Sequence, residues 1–269
     1  MTILADIVAA TRRKVRESIS TADLGDLQRQ AEAYLPRGFR GSLAAASHSR
    51  PAIIAELKKA SPSRGLIRSN FDAEALAREL EGAGAAALSV LTDEEFFSGS
   101  LSNLRNASAA TQIPCLRKDF IIDEFQILEA RANCADAILL ITAALSQEEL
   151  VSLAKKAAEF QLDALCEVHD EEELGRALEA GCDLIGVNSR DLQTFQVDLG
   201  TAFRLADTMP PGVLAVAESG IEHGGDIARL RSAGYDAFLI GETLMRATSP
   251  GEALKALLAE AGSASASAR

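Results

Sequence analysis

Four segments of this chain share one form: a turn residue, a small linker, then an apolar run that reads as a buried strand. They are GAGAAALSV (82–90), NCADAILLI (133–141), AGCDLIGV (180–187) and AGYDAFLI (233–240). Their turn positions, Gly84, Cys134, Gly181 and Gly234, stand 50, 47 and 53 residues apart. A strand of about 5–6 residues, a helix of about 10–12 and short loops fill roughly half of such a step. Each step therefore holds two βα units, and four steps hold eight.

Further strand candidates fall in the gaps, at 51–57, 114–118, 162–168 and 213–217. Helical stretches alternate with them. DAEALARELEGAG follows Phe71, SQEELVSLAKKAAEF opens on Ser146 with Glu149 three residues on, and HDEEELGRALEAG ends on Gly181. Strands alternating with helices point to a parallel sheet, and runs apolar on both faces favour a closed barrel over an open sheet. The expected fold is an α/β (β/α)8 TIM barrel with an N-terminal helical extension, a usual size for 269 residues.

Residues 1–50 carry two helical patterns, 3–18 and 22–34, too little for a core of their own, and are expected to pack across the barrel. One domain is expected over 1–260, and the low-complexity end AGSASASAR (261–269) is expected to be a disordered tail.

A net charge of -12 argues against nucleic acid and against an anionic membrane surface as partners, since either needs a basic face. No run approaches the roughly 18 apolar residues of a membrane span. The start, MTILADIVAATRRKV, has Asp6 inside its apolar stretch and reads as an amphipathic helix, not a signal peptide. Cys115, Cys134, Cys166 and Cys182 form no CxxC pair and read as buried, reduced thiols, which places the chain in the cytoplasm.

If the runs are parallel barrel strands, their last residues converge on one mouth, where barrel active sites lie. PAIIAELK closes on Glu56 and Lys58, IPCLRKDF on Lys118, LDALCEV on Glu167, DLIGVNSR on Asn188 and Arg190, and VLAVAESG on Glu218 and Ser219. Glu56 and Lys58 share one strand face, as a structural ion pair or as an acid–base pair. Lys118 reads as a general acid, a phosphate binder or a snorkelling surface lysine. Glu167 is a base or a partner for one of the lysines.

The basic loop KKASPSRG suits anion contact and mobility. Ser219-Gly220 after the seventh strand, and Gly241 opening a short helix after the eighth, match the loops with which barrels bind phosphate. Glu242 is unexpected beside an anion unless it serves through its backbone. His48, His169 and His223 are scattered without ligand spacing, and His169 reads as a helix cap. Neither metal nor cofactor is expected.

With IIAELKKASPSRG, LTDEEFFSGS, CLRKDFIID, IGVNSRDLQTF, AESGI and LIGETLM taken together, the chain resembles the indole-3-glycerol phosphate synthase family of tryptophan biosynthesis. The resemblance runs from the N-terminal helices to about residue 250. It implies a cofactor-free lyase that decarboxylates and dehydrates 1-(2-carboxyphenylamino)-1-deoxyribulose 5-phosphate to indole-3-glycerol phosphate. It also implies that Glu56, Lys58, Lys118, Glu167, Asn188 and Ser219 form the catalytic set. Arg190 falls near the substrate carboxylate, and Phe97 and Leu139 beside the aromatic ring. Lys58 with the backbone of Gly220, Gly241 and Glu242 falls at the phosphate, with Ser61 on the first loop. Cys134 departs from the turn glycine expected there.

Carried into chemistry, Lys118 donates to the carbonyl oxygen, Glu167 stabilises the iminium charge or takes a proton, and Lys58 with Glu56 completes dehydration. A mainly phosphate-anchoring Lys58 stays open. The alternatives are a sister phosphate-binding barrel, such as a phosphoribosylanthranilate isomerase, or a non-catalytic sugar-phosphate sensor. The isomerase is disfavoured because its usual cysteine–aspartate pair is absent from these strand ends. The expected state is a monomer, alone or associated with other tryptophan-pathway enzymes.

Overall fold

The apolar runs become eight strands of one closed parallel barrel: β1 (Ala52–Leu57), β2 (Ala87–Leu91), β3 (Cys115–Lys118), β4 (Ala137–Ile141), β5 (Asp163–Val168), β6 (Leu184–Asn188), β7 (Leu214–Glu218) and β8 (Ala237–Ile240). Each pairs in parallel with its sequence neighbour, and β1 closes the ring by pairing with both β2 and β8. The computed structural model describes residues 3–192 and 194–267.

Side chains alternate along each strand, so one parity points into the barrel. Ala52, Ile54, Leu116, Leu139, Leu165, Leu184, Val216 and Leu239 form that interior. The other parity, including Ile53, Leu88, Ile138, Ile185 and Phe238, packs under the surrounding helices. Those helices are α4 (Ala73–Gly82), α5 (Leu101–Ala110), α6 (Glu124–Ala132), α7 (Gln147–Glu159), α8 (Glu171–Glu179), α9 (Gly200–Ala206), α10 (Gly224–Ser232), α11 (Glu242–Arg246) and α12 (Pro250–Ser267). The expected capping box is present on α7, where Ser146 and Glu149 satisfy each other's backbone N–H. The aligned turn positions Gly84, Cys134, Gly181 and Gly234 all have positive φ, so Cys134 adopts the left-handed geometry its glycine counterparts hold without strain.

The N-terminal extension has three helices, α1 (Ile3–Thr21), α2 (Leu24–Ala33) and α3 (Phe39–Ser47), where the sequence suggested two. Helix α3 has nine residues, too few to be stable alone. It is held because Phe39 and Leu43 are fully buried in the barrel interior. Each such side chain contributes about 1.5–3 kcal/mol. The backbone N–H of Arg40 donates to Asp163 at 2.9 Å and Ser42 Oγ to the Ala86 carbonyl at 2.8 Å, so α3 plugs the end where the strands begin. Helix α1 lies at the other end, where Ile3, Leu4 and Ile7 line the mouth.

Two further expectations are corrected, and the end of the chain is described in part. The loop after β1 is partly a hairpin, Ala60–Ser61 pairing antiparallel with Gly65–Leu66. Helix α12 runs from Pro250 to Ser267 with Ala261 buried against the core; residues 268–269, the end of the expected tail, lie outside the described residues. Cys166 and Cys182 are joined in a disulfide rather than reduced, while Cys115 and Cys134 are free. The barrel sets the first pair side by side, one on β5 and one in the turn before β6, with Cα atoms 6.5 Å apart.

Candidate active site

Strand parity decides which polar side chains face inward at the mouth. Counting in twos from Ile54, Leu116, Leu165 and Val216 leads to Glu56, Lys118, Glu167 and Glu218, and from Leu184 through Gly186 to Asn188. These side chains line a cavity of about 780 Å³. Every residue that sequence reasoning placed at the site lines it: Glu56, Lys58, Ser61, Phe97, Lys118, Leu139, Glu167, Asn188, Arg190, Ser219, Gly220, Gly241 and Glu242.

Two ion-paired groups sit at its base. Lys58 Nζ lies 2.6 Å from Oε1 of Glu56. Lys118 Nζ lies 3.2 Å from Oε2 of Glu167 and 3.7 Å from Oε2 of Glu218. Asn188 donates from Nδ2 to Oε1 of Glu167 at 3.1 Å, and its own Oδ1 accepts the Arg190 backbone N–H at 3.0 Å. All three carboxylates are at most 4% exposed, so the lysines must offset a large desolvation cost.

The charges settle unequally. Burial pushes the Glu56 carboxyl up, but Lys58 and Lys118 outweigh it and hold it below the usual range. Glu167 behaves likewise: burial raises it, and Lys118, His169 and Asn188 bring it down. Burial works against the Lys118 cation, yet Glu167, Glu218 and Glu56 keep it firmly protonated. Glu218 is the exception. Burial raises it, Lys118 pulls it partly back, and Glu167 and Glu56 push it up again, to about 8. Near neutral pH the site thus holds a cationic Lys118, the carboxylates of Glu56 and Glu167, and Glu218 as a carboxylic acid.

Glu218 is a functional candidate that sequence reasoning missed; it saw the residue at the strand end but chose the adjoining Ser219. The signal was available, since Leu214 and Val216 mark its parity as inward. Its Oε1 is buried without a hydrogen-bond partner among the described residues. A Cβ on Gly186, next door on β6, would collide with that oxygen, so glycine there leaves room for the acid. Ser219 instead has φ 64°, a left-handed conformation that turns the chain at the end of β7.

The wall above is split by chemistry. Phe97 and Phe120, ring centroids 6.4 Å apart, stand with Leu139 and Ile141 on an apolar side, at the ends of β2, β3 and β4. On the other side Glu242 is ion-paired with Arg64 at 3.0 Å and Arg190 at 3.6 Å, and accepts a hydrogen bond from Arg246 at 3.3 Å. Its charge, unexpected beside an anion, is thus shared among three guanidinium groups. His169 is not the cap of α8: Asp170 accepts the Glu173 N–H at 2.8 Å in that role.

A family model described as indole-3-glycerol phosphate synthase matches residues 4–257. A protein of that name from Koribacter versatilis (strain Ellin345) is 56% identical over 255 residues, covering 95% of this chain and 98% of the relative. Another from Rhodopirellula baltica (strain DSM 10527 / NCIMB 13988 / SH1) is 46% identical over 261 residues, covering 96% and 100%. Among solved structures, a thiamine phosphate pyrophosphorylase from Pyrococcus furiosus superposes with a TM-score of 0.60 at 16% identity, over 81% of this chain and 98% of that one. A mandelate oxidase mutant gives 0.62 at 18%, over 80% and 73%. At such identities these two share the barrel fold alone.

Proposed function

The chain belongs to the indole-3-glycerol phosphate synthase family, and we propose that its carboxy-lyase reaction of tryptophan biosynthesis is carried by the buried lysine–glutamate cluster at the barrel mouth. The observation that carries this assignment is Lys118, a buried cation between Glu167 and Glu218 inside the cavity.

The substrate carries an aromatic amine with an ortho carboxylate, a ketone and a terminal phosphate. Its ring carbon attacks the ketone. Lys118 donates a proton as the carbonyl oxygen becomes an alkoxide, and the Glu167 carboxylate stabilises the iminium charge left on the ring. Carbon dioxide departs and restores the aromatic ring. Lys58 then protonates the leaving hydroxyl, and Glu56 takes the proton from the carbon beside nitrogen. Glu218, a neutral acid near pH 7, donates a hydrogen bond to the same oxygen beside Lys118. Asn188 orients Glu167.

Binding divides along the two walls. The apolar side with Phe97 and Leu139 takes the aromatic ring, and Arg190 takes its carboxylate. The backbone at Ser219, Gly220, Gly241 and Glu242, with Lys58 and with Ser61 of the hairpin, holds the phosphate. Anchoring both ends bends the flexible chain over the ring, which lowers the entropic part of the barrier. The reading extends to a cytoplasmic monomer, a placement that rests on the biosynthetic family and no longer on reduced thiols, since Cys166 and Cys182 are paired.

The chain has no Trp and only two Tyr, so indole fluorescence rises over almost no protein background. Fluorescence growing in step with carbon dioxide release is the expected result. Saturable binding of the ribulose substrate without signal would indicate a sensor instead. Lys58→Ala is expected to raise KM as well as lower kcat, and an unaltered KM removes Lys58 from the phosphate.

Glu218 sets a pH dependence. Its carboxyl titrates near 4.5 when free and near 8 in the fold, so the native state holds an extra proton between those values. Its contribution to stability is therefore complete below about pH 4.5 and is lost as pH rises through about 8. The expected kcat falls on the alkaline side near pH 8 for the same reason. Glu218→Gln, which still donates but does not titrate, should have a lower kcat without that alkaline fall. A persistent fall in this variant assigns it to another group.

A further inference from the structure

His169 lies directly after β5, two residues beyond Glu167, outside the cavity lining. One side of its ring is clamped by α8: Nδ1 stands 3.0 Å from Oε2 of Glu173, the oxygen that also accepts the His169 backbone N–H at 2.8 Å. An ionised carboxylate only accepts, so Nδ1 carries a hydrogen. On the other side Nε2 is buried without a hydrogen-bond partner among the described residues and stands 3.4 Å from Oε1 of Glu167. A neutral ring so placed would set a lone pair near that carboxylate, whereas a protonated ring sets a positive charge beside it.

We propose that His169 is a positioning residue for Glu167: held by Glu173 as an imidazolium, it sets a positive charge beside Oε1, the oxygen that accepts from Asn188, and keeps that carboxylate ionised, with Oε2 left to Lys118. The inference rests on the reading of Glu167 as the carboxylate that meets the developing iminium charge.

The surrounding charges support it. Glu167 at the end of β5, Glu173 on α8 and Glu218 on β7 act on the ring, and Lys118 on β3 shares two of them. Burial alone favours the neutral ring, but Glu173 and Glu167 outweigh it and raise the imidazole above its ordinary value. The two oxygens of the buried Glu167 thus each stand beside a basic group, His169 at 3.4 Å and Lys118 at 3.2 Å, and loss of the imidazolium leaves that carboxylate fewer cations to offset its burial. A capping role is already filled by Asp170, so it does not account for the histidine.

The test is kcat and KM against pH for His169→Gln, Glu173→Gln and Glu167→Gln. His169→Gln keeps an N–H donor of similar reach but no charge. It is expected to lower kcat about tenfold with KM within about twofold. Its acid limb, where Glu167 takes up a proton, should move upward by about one pH unit, because Glu167 has lost a neighbouring cation. Glu173→Gln should move the limb the same way by less, and it decides the question if the histidine variant does not fold. An unmoved acid limb in the folded variants overturns the inference whatever happens to kcat, since packing alone would not shift it. Glu167→Gln separates the two readings. Full activity there sinks the role given to Glu167, whereas an inactive Glu167→Gln beside an unmoved limb sinks only the role of His169.

Discussion

Lys118→Met is expected to lower kcat by about 10²–10⁴-fold, the usual worth of a positioned general acid, while KM changes little and the protein still folds cooperatively. Methionine keeps the length and apolar stem of the side chain but can neither donate a proton nor carry charge. The loss falls on kcat because Lys118 meets the carbonyl oxygen only as negative charge develops there, whereas phosphate and ring are held elsewhere. Stability should suffer less than the removal of a buried cation suggests. Glu167 and Glu218 lie 3.2 and 3.7 Å away, and one more of these carboxyls can take a proton when the lysine charge is gone. Stopped and continuous fluorescence assays report the rate directly, since the chain lacks Trp. A kcat within tenfold of the parent would remove Lys118 from the acid role and pass the proton to Glu218.

The order of the barrel and most of its mouth were legible because both follow from period-two alternation. Once Ile54 or Leu165 is inside, Glu56 or Glu167 must be too, and closing the sheet gathers these ends without further information. Glu218 obeys the same rule, yet the local pattern ESG drew attention to the turn instead of the strand. Its protonation was not legible at all, because it depends on Glu167 and Lys118, which approach it only when the barrel closes. His169 was misread for a related reason: a histidine before an acidic helix start resembles a cap, but Asp170 is the better acceptor and frees the ring for Glu173 and Glu167.

Helix α3 escaped notice because FRGSLAAAS is short and contains Gly41; its signal was only Phe39 and Leu43, four residues apart on one face. The Cys166–Cys182 pair, 16 residues apart in sequence, is likewise a product of strand adjacency and not of spacing. What alternation and turn chemistry encode locally can be read from the chain. What depends on three or more elements meeting cannot.

Asp136→Ala is expected to destabilise the protein by about 3–5 kcal/mol, the usual consequence of removing one partner of a buried ion pair. Asp136 is fully buried in the turn before β4, at the end of the barrel opposite the active site. Oδ1 accepts from Tyr34 Oη at 2.8 Å and the Arg37 backbone N–H at 2.6 Å; Oδ2 accepts from the Arg37 guanidinium and the Cys115 N–H, both at 2.6 Å. The one carboxylate thus ties the segment between α2 and α3 to the starts of β3 and β4. Its loss strands the Arg37 guanidinium, although the carbonyls of Ser108 and Thr111 still accept from it. The repeat explains why the residue is there: Asp236 holds the equivalent place before β8 and accepts the Ala215 N–H of β7 at 3.1 Å. The expected readout is a lower urea midpoint with kcat per folded molecule close to the parent's. Arg37→Met added to Asp136→Ala should recover part of the loss, because the unpaired cation is then gone. If Asp136→Ala unfolds at the parent midpoint, the ion pair does not anchor the N-terminal extension, and burial of Phe39 and Leu43 must suffice to hold it.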